Sequence, residues 1–545
     1  MVRHLFPRSF IGLMVLTTLY MTVVVNWIFL QKAFDAVDYT RFTGLSMMLS
    51  LPVVLFCLTI MVNSWCSLFA FTRVMMFICI LVSGALLYAA LSYGVIFDKE
   101  MIVNIVQTDQ HEAFSYLNFR ALAGVLLLGL LPAWFITKCY QSGSWFKKVR
   151  VVLKINALSA ILLIALILPQ YQSFAAVGRN HKELTSYILP FSLYVSGYKY
   201  LRDNYVYQPL PFKHLDDSPH LVDGNVPVFT VVVVGETARA QNFSLGGYKR
   251  PTNAYTVDDR VQFFPYVESC GTATAVSVPC MFSRLNHDNY SSRAAESQDN
   301  VLDIIQRAGS NVTWIDNNSS CKGVCKRIHS IKIEPNVSNE LCDGEYCYDE
   351  ALLAPLRAAL AHSPTQSQLI VLHMIGSHGP TYYRRYPSRF KKFLPDCPSS
   401  DIQHCSQQQL VNTYDNTILY TDYVLHQVIR ELKNVSEGTV NMLYLSDHGE
   451  SLGEKGLYLH GFPYRFAPEE QTHVPMIYWS NKMQNADFSN CVKMHATQPI
   501  SHDNLYDTLM GLVQVNSTTY ELNHDVFAPC QYSKLAHIGE LNEVR

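Results

Sequence analysis

Asp447-His448-Gly449-Glu450 ends the apolar run that starts at Asn441, and His460 follows shortly after it. A carboxylate beside an imidazole suits a borderline divalent cation such as zinc. The carboxyl end of a buried strand is where open α/β sheets place their chemistry. A solvated Asp-His pair in a surface turn is the competing reading. A second run, Val228 to Val234, is apolar at nearly every position and leads directly into Gly235-Glu236-Thr237. Such a run fits a parallel strand buried on both faces, so Glu236 is expected on the same sheet edge as Asp447; a helix cap or salt bridge is its ordinary alternative. In SCGTATAVSVPCMFS, residues 269–283, small and hydroxyl side chains precede a weakly apolar stretch. Thr272 and Thr274 are therefore placed where a loop enters a helix, with free N–H groups that favour an anion, or simply as an N-cap. Together the three segments predict a zinc ion held by Glu236, Asp447 and His448. The same ion would bind the Thr274 hydroxyl and lower its pKa. The electrophile should be anionic, which points to phosphoryl transfer.

The elements that carry these residues contain longer motifs. GETAR, CGTATAVSVPCMFS, DNNSSCKG, GSHGPTYY, SDHGESLGE and LHG occur in that order. They resemble the successive motifs of the bacterial lipid A phosphoethanolamine transferases, chromosomal and mobile colistin-resistance enzymes alike. The resemblance runs over nearly the whole chain. It implies an α/β alkaline-phosphatase-like (sulfatase-like) catalytic domain and a threonine that carries phosphoethanolamine covalently. The nucleophile then falls on Thr274 and not on Thr272, and the zinc ligands on Glu236, Thr274, Asp447 and His448. Asn318, Lys322, His378 and His460 fall on additional positions that contact phosphate or a second metal. From the residues themselves, Lys322 is a point cation suited to a phosphate oxygen, and His378 and His460 each adjoin a glycine in a short polar loop. His373 lies inside the run 368–375 and reads as core or as support for the site. His214, His220, His426 and His495 have no supporting context.

Five nearly uncharged segments, 10–30, 43–65, 74–94, 119–137 and 151–170, are each long enough to cross a bilayer core of roughly 30 Å as helices. Arg3 and Arg8, Arg73, and the cluster Lys138, Lys147, Lys148 and Arg150 set the orientation by the positive-inside rule. The N-terminus is expected in the cytoplasm and everything after about residue 171 outside. The first span lacks a small-residue cleavage site and reads as a retained anchor. The chain thus divides into a transmembrane domain (1–170), a linker (171–226) and a catalytic domain (227–545).

Cysteine usage fits export. Cys57, Cys66, Cys79 and Cys139 lie in or near the spans, and ten more lie between 270 and 530. An even number in an exported domain argues for disulfides. Neighbour pairing is the simplest connectivity: Cys270–Cys280, Cys321–Cys325, Cys342–Cys347, Cys397–Cys405 and Cys491–Cys530. A structural zinc cluster of Cys321, Cys325, Cys342 and Cys347 is the rival. An Asn-x-Ser sequon at Asn318 would obstruct the site if glycosylated, which favours a bacterial inner-membrane protein facing the periplasm.

The linker is rich in tyrosine and weakly helical near 184–204, as suits a membrane interface. The connection 97–118 reads as a periplasmic amphipathic helix. The resemblance places donor-lipid contacts there, on Asn104, Thr108 and Glu112. A net charge of −2 argues against nucleic-acid binding. The basic run from Arg384 to Lys392 reads as a solvated loop or a contact for anionic headgroups. The expected reaction moves phosphoethanolamine from phosphatidylethanolamine to a phosphate of lipid A, by a monomer holding one zinc ion or two. A phosphoglycerol transfer or a core-sugar acceptor is the alternative.

Overall fold

The computed structural model describes residues 9–37, 42–69, 71–108, 110–138, 144–222, 226–335, 339–362 and 365–531. Arg3, Arg8 and Cys139 lie outside them, as does the side chain of Glu112. Two compact units emerge: Met1–Ile102 with Leu117–Arg202, and Val103–Tyr116 with Asp203–Arg545.

The first unit is helical. Gly44–Cys66, Thr72–Tyr93, Phe119–Lys138 and Trp145–Asn180 are each long and apolar enough to span a membrane. A fifth candidate is the pair Phe10–Val25 and Trp27–Asp35, bent by 53°. The bend has an identifiable cause. Met21–Val25 winds as a π-turn, and Asn26 just beyond it donates from Nδ2 to the carbonyls of Met21 and Leu189, 2.8 Å each. Its Oδ1 accepts the Leu189 amide at 2.9 Å. A polar side chain and a π-turn together break the regular ladder. Two helices approach closely at Gly84, where a β-carbon would stand 2.0 Å from the Leu128 carbonyl oxygen. Small residues permit such backbone contact between spans. The first part of the linker is helical: Lys182–Tyr187 forms a 3₁₀ turn and Phe191–Leu201 an α-helix.

The second unit is built on a seven-stranded sheet. Its strands are β1 (Val228–Gly235), β2 (Gln262–Phe264), β3 (Asn311–Asp316), β4 (His329–Lys332), β5 (Gln368–His373), β6 (Thr439–Ser446) and β7 (Met476–Ser480). The spatial order is β2-β7-β6-β1-β5-β3-β4, and β7 alone runs against the others. β1, β5 and β6 are buried at every position, as continuous apolar runs in a covered parallel sheet should be. Their register decides the site. Gly235 pairs with Ser446 and Val234 with His373, so the three strands end level. Glu236, Asp447 and Met374 therefore leave the sheet at one edge.

The connection 97–118 departs from the single helix read in the sequence. It forms two, Lys99–Gln107 and Gln110–Ser115. The first helix carries on to a last turn in which the Thr108 amide and hydroxyl both donate to the Asn104 carbonyl (2.9 and 2.8 Å). Three residues of the basic run are paired with carboxylates. Arg384 pairs with Asp343 and Glu345, Arg389 with Glu350, and Lys391 with Asp396.

Five disulfides join Cys270–Cys280, Cys321–Cys325, Cys342–Cys347, Cys397–Cys405 and Cys491–Cys530. The rival four-cysteine zinc cluster is thereby excluded, because its four thiols are consumed in two of these bonds. The first bridge ties the loop before Thr274 to the helix that Thr274 opens, and the second spans Lys322 in a segment without helix or strand.

Candidate active site

Thr274 opens a short helix, Thr274–Met281, whose N-cap Ala273 offers no side-chain hydrogen bond. The two threonines of the CGTAT segment part here. Thr272 Oγ1 donates to the Phe462 carbonyl at 2.6 Å, and its own carbonyl accepts the Gly461 amide at 2.7 Å. Thr272 thus ties down the loop after His460. Thr274 turns to the sheet edge, with Oγ1 3.0 and 3.2 Å from the two Glu236 oxygens and 3.3 Å from His448 Nε2.

Around that hydroxyl, Glu236, Asp447 and His448 are fully buried, and their ligand atoms lie within 4.8 Å of one another. His448 Nε2 stands 3.4 Å from Glu236 Oε1 and 3.4 Å from Asp447 Oδ2. His448 Nδ1 donates to the Gly449 carbonyl at 2.9 Å. That bond fixes the ring and aims Nε2 into the cluster, as a metal-binding histidine requires. Asp447 Oδ1 accepts the Thr237 and His448 amides at 3.1 and 2.7 Å. Its Oδ2 is buried with no hydrogen-bond partner among the described residues. A buried anionic oxygen left open in this way, facing an oriented imidazole and a second carboxylate, fits a divalent cation.

Supporting residues hold the ligands. Thr237 lies in the left-handed region at φ +59°, which turns its amide toward Asp447 while its hydroxyl reaches Glu236 Oε1 at 2.6 Å. Tyr414, from the long helix Gln407–Lys433, donates to the Thr237 carbonyl at 2.7 Å. Gly376, at φ +50°, packs so tightly on Glu236 that a β-carbon would stand 2.6 Å from the Glu236 carbonyl oxygen.

The remaining residues expected from the sequence divide into two groups. Asn318 joins the cluster directly: Nδ2 donates to Glu236 Oε2 at 2.8 Å and to the Met374 carbonyl at 2.9 Å. Lys322 donates to Ser319 Oγ at 2.9 Å, one residue from Asn318. His460 and His378 form a rim, with ring centroids of His448 and His460 4.5 Å apart and of His460 and His378 5.3 Å apart. His373 is buried beside Asp316, its Nδ1 3.3 Å from the carboxylate. Asn104 and Thr108 meet each other through the helix end described above, and Tyr116, at the end of that segment, lies within electrostatic reach of Tyr382. Sequence reading overlooked Glu450 and Tyr382. Glu450 Oε2 sits 3.0 Å from His460 Nδ1, and its Oε1 accepts the Tyr382 hydroxyl. Both stand inside motifs quoted above, so proximity to Asp447 and His378 was the available signal.

Burial and mutual charge pull the titrations apart. Burial, reinforced by the Glu236 charge, pushes Asp447 up to about 7. Burial also works against ionised Glu236, yet the hydrogen bond and charge of His448 outweigh it and hold that carboxylate well below its usual range. For His448, burial opposes protonation, but Asp447 and Glu236 prevail and raise it to about 10. Burial and the neighbouring His448 charge lower His460 to about 3, which keeps that ring neutral. Burial raises Glu450 to about 8. Metal uptake must therefore expel the proton on His448 and the fraction remaining on Asp447. Titrating the metal-free protein with Zn²⁺ at pH 7.5 in buffers of differing ionisation enthalpy is expected to show release of at least about one proton per ion. A slope of zero would mean that His448 is not a ligand.

The sheet and this edge define a catalytic domain of the sulfatase class, alkaline-phosphatase-like in fold, carried on helices able to span a membrane. The sulfatase family profile matches residues 229–515, and that of "Phosphoethanolamine transferase EptA/EptB" matches residues 55–205. The chain is 38% identical to phosphoethanolamine transferase EptA of Salmonella typhimurium, over 96% of this chain and 97% of the relative. It is 35% identical to phosphatidylethanolamine transferase Mcr-1 of Escherichia coli, over 91% and 94%. The solved integral membrane lipooligosaccharide phosphoethanolamine transferase A of Neisseria meningitidis superposes with a TM-score of 0.90 at 36% identity, covering 95% of this chain and 98% of that one. The chain belongs to the phosphoethanolamine transferase family.

Proposed function

We propose that this enzyme moves phosphoethanolamine from phosphatidylethanolamine to a phosphate of lipid A, with Thr274 as the covalent carrier. It works as a monomer in the inner membrane of a Gram-negative bacterium, its catalytic domain in the periplasm. The observation that carries this reading is the Thr274 hydroxyl at the buried Glu236–Asp447–His448 cluster, 3.0 Å from Glu236 and 3.3 Å from His448.

In the first half-reaction Thr274 Oγ1 bonds to phosphorus as the bond to the glycerol oxygen breaks. Diacylglycerol leaves with a proton supplied by His378, and the proton that Thr274 gave up passes to solvent, from which His378 is recharged. In the second, a lipid A phosphate oxygen attacks the same phosphorus, and Thr274 departs and regains its proton. Glu236, Asp447, His448 and Thr274 would hold one zinc ion, which supplies Lewis-acid stabilisation and a lowered hydroxyl pKa when bound. Lys322, Asn318, His378 and His460 orient phosphoryl oxygens, or the two histidines take a second ion. Glu450, mostly protonated at neutral pH, fixes the ring of His460. Asn104, Thr108 and Glu112 bind the donor lipid. Residues 1–170 anchor the enzyme, 171–226 lie along the bilayer and 227–545 form the catalytic domain. Confining donor and acceptor to one bilayer raises their effective concentration. The added amine lowers surface negative charge and weakens binding of polymyxins and other cationic peptides.

The test is mass spectrometry of lipid A from polymyxin-sensitive cells expressing the chain. One phosphoethanolamine on a lipid A phosphate is expected. Its appearance on a core sugar instead, or a phosphoglycerol addition, would overturn the acceptor or donor assignment.

A further inference from the structure

His502 lies outside every motif described above, yet it joins the two segments that must meet in the reaction. It is buried, and it follows Ser501, whose capping box opens the turn His502–Asn504. Its Nδ1 accepts the Cys270 amide at 3.0 Å and stands 3.3 Å from Ser277 Oγ. Its Nε2 donates to the Ser446 carbonyl at 3.0 Å. Ser277 in turn donates to the Asp447 carbonyl at 2.5 Å.

These four contacts have a common geometry. Cys270 begins the loop into the Thr274 helix and is cross-linked to Cys280 on that helix, while Ser277 lies in its first turn. Ser446 ends β6, and Asp447 is the next residue. One imidazole therefore spans from the element bearing the nucleophile to the strand bearing two of the ligands. Only a neutral ring protonated on Nε2 satisfies both bonds, because Nδ1 faces a donor and Nε2 an acceptor. Burial pushes the His502 pKa down to about 3, in keeping with that single form.

We propose that His502 is a positioning residue that sets the distance between Thr274 and the Asp447–His448 edge by bridging Cys270 and Ser446. This rests on the reading of Thr274 as nucleophile. Leucine removes both bonds of the bridge, asparagine can keep the acceptor, and glutamine can keep the donor. The full chain in detergent is incubated with phosphatidylethanolamine without acceptor, and formation of the phosphoethanolamine adduct on Thr274 is followed by mass spectrometry. For His502→Leu the rate is expected to fall about 10–100-fold, as ångström-scale misplacement of a reacting group does. Half-saturating donor concentration and bound zinc should stay within about twofold of the unmodified enzyme. His502→Gln or His502→Asn should recover part of the rate.

An unchanged rate in His502→Leu would overturn the proposal. So would losses in all three variants that track loss of zinc or of thermal stability, which would make His502 merely structural. If His502→Leu does not fold, the other two variants decide, and full activity in both overturns it. Thr274→Ala runs in parallel. A variant that still transfers the group would sink the nucleophile reading itself, whatever the His502 series shows.

Discussion

Replacing Thr274 by alanine is expected to lower phosphoethanolamine transfer by at least about 10³-fold, the scale seen when a covalent nucleophile is removed. The reason is local. Thr274 Oγ1 is the only hydroxyl that the CGTAT segment turns to the cluster, since Thr272 donates to Phe462. Thr272 cannot stand in for it without giving up that bond. Thr274→Ser keeps the oxygen but frees χ1, because a β-branched side chain has fewer rotamers than serine. It should retain a measurable fraction of the rate and still yield the covalent adduct. The alanine variant should still bind metal through Glu236, Asp447 and His448, so its bound-metal content separates lost chemistry from a lost site. Transfer by Thr274→Ala at a rate near that of the unmodified enzyme would exclude the covalent route.

Asp447→Asn should flatten the pH dependence of stability without metal and weaken the stabilisation that metal gives. In the metal-free protein an unfolded aspartate gives up its proton near 3.8, whereas folded Asp447 holds it to about 7. Between these values the folded state binds more protons, so stability falls as pH rises through the window. Asparagine never ionises. With a chelator present, the variant is therefore expected to lose less stability between pH 5 and pH 8 than the unmodified chain. Added Zn²⁺ should stabilise the variant less than the unmodified chain. A cation that binds only the folded state contributes about 4 kcal/mol at a thousandfold excess over its Kd, and the variant has lost a ligand. Thermal unfolding in chelator and in zinc, at pH 5 and pH 8, reads both effects. A variant that loses as much stability as the unmodified protein between pH 5 and pH 8 in chelator would show that folding does not raise the Asp447 pKa.

Much of the fold was visible in the chain because its central strands are apolar at nearly every position and end in abrupt polar residues. Glu236 and Asp447 each follow such a run directly, so their shared edge required only that the strands be parallel and level. The two threonines were not separable by type or spacing. What distinguishes them is a carbonyl at Phe462, far along the chain. His502 and Tyr382 escaped notice for the same reason, since their partners are brought to them only by tertiary packing. In the membrane unit the apolar lengths were legible, but the bend at Asn26 depends on Leu189, a contact spanning 163 positions. The basic stretch at Arg384–Lys392 looked solvated because its acidic partners, Asp343, Glu345 and Glu350, precede it by about 40 residues.

The level ends of β1 and β6 also govern when the site is complete during synthesis. Thr237 and Asp447, which meet by a hydrogen bond, are separated by 210 positions. At a synthesis rate of roughly 5–20 residues per second, the later strand emerges about 10–40 s after the earlier one. Throughout that interval Glu236 and Thr237 have already been made, yet neither Asp447 nor His448 exists. On the reading of Asp447 and His448 as ligands, a chain that has not yet delivered β6 has no complete site.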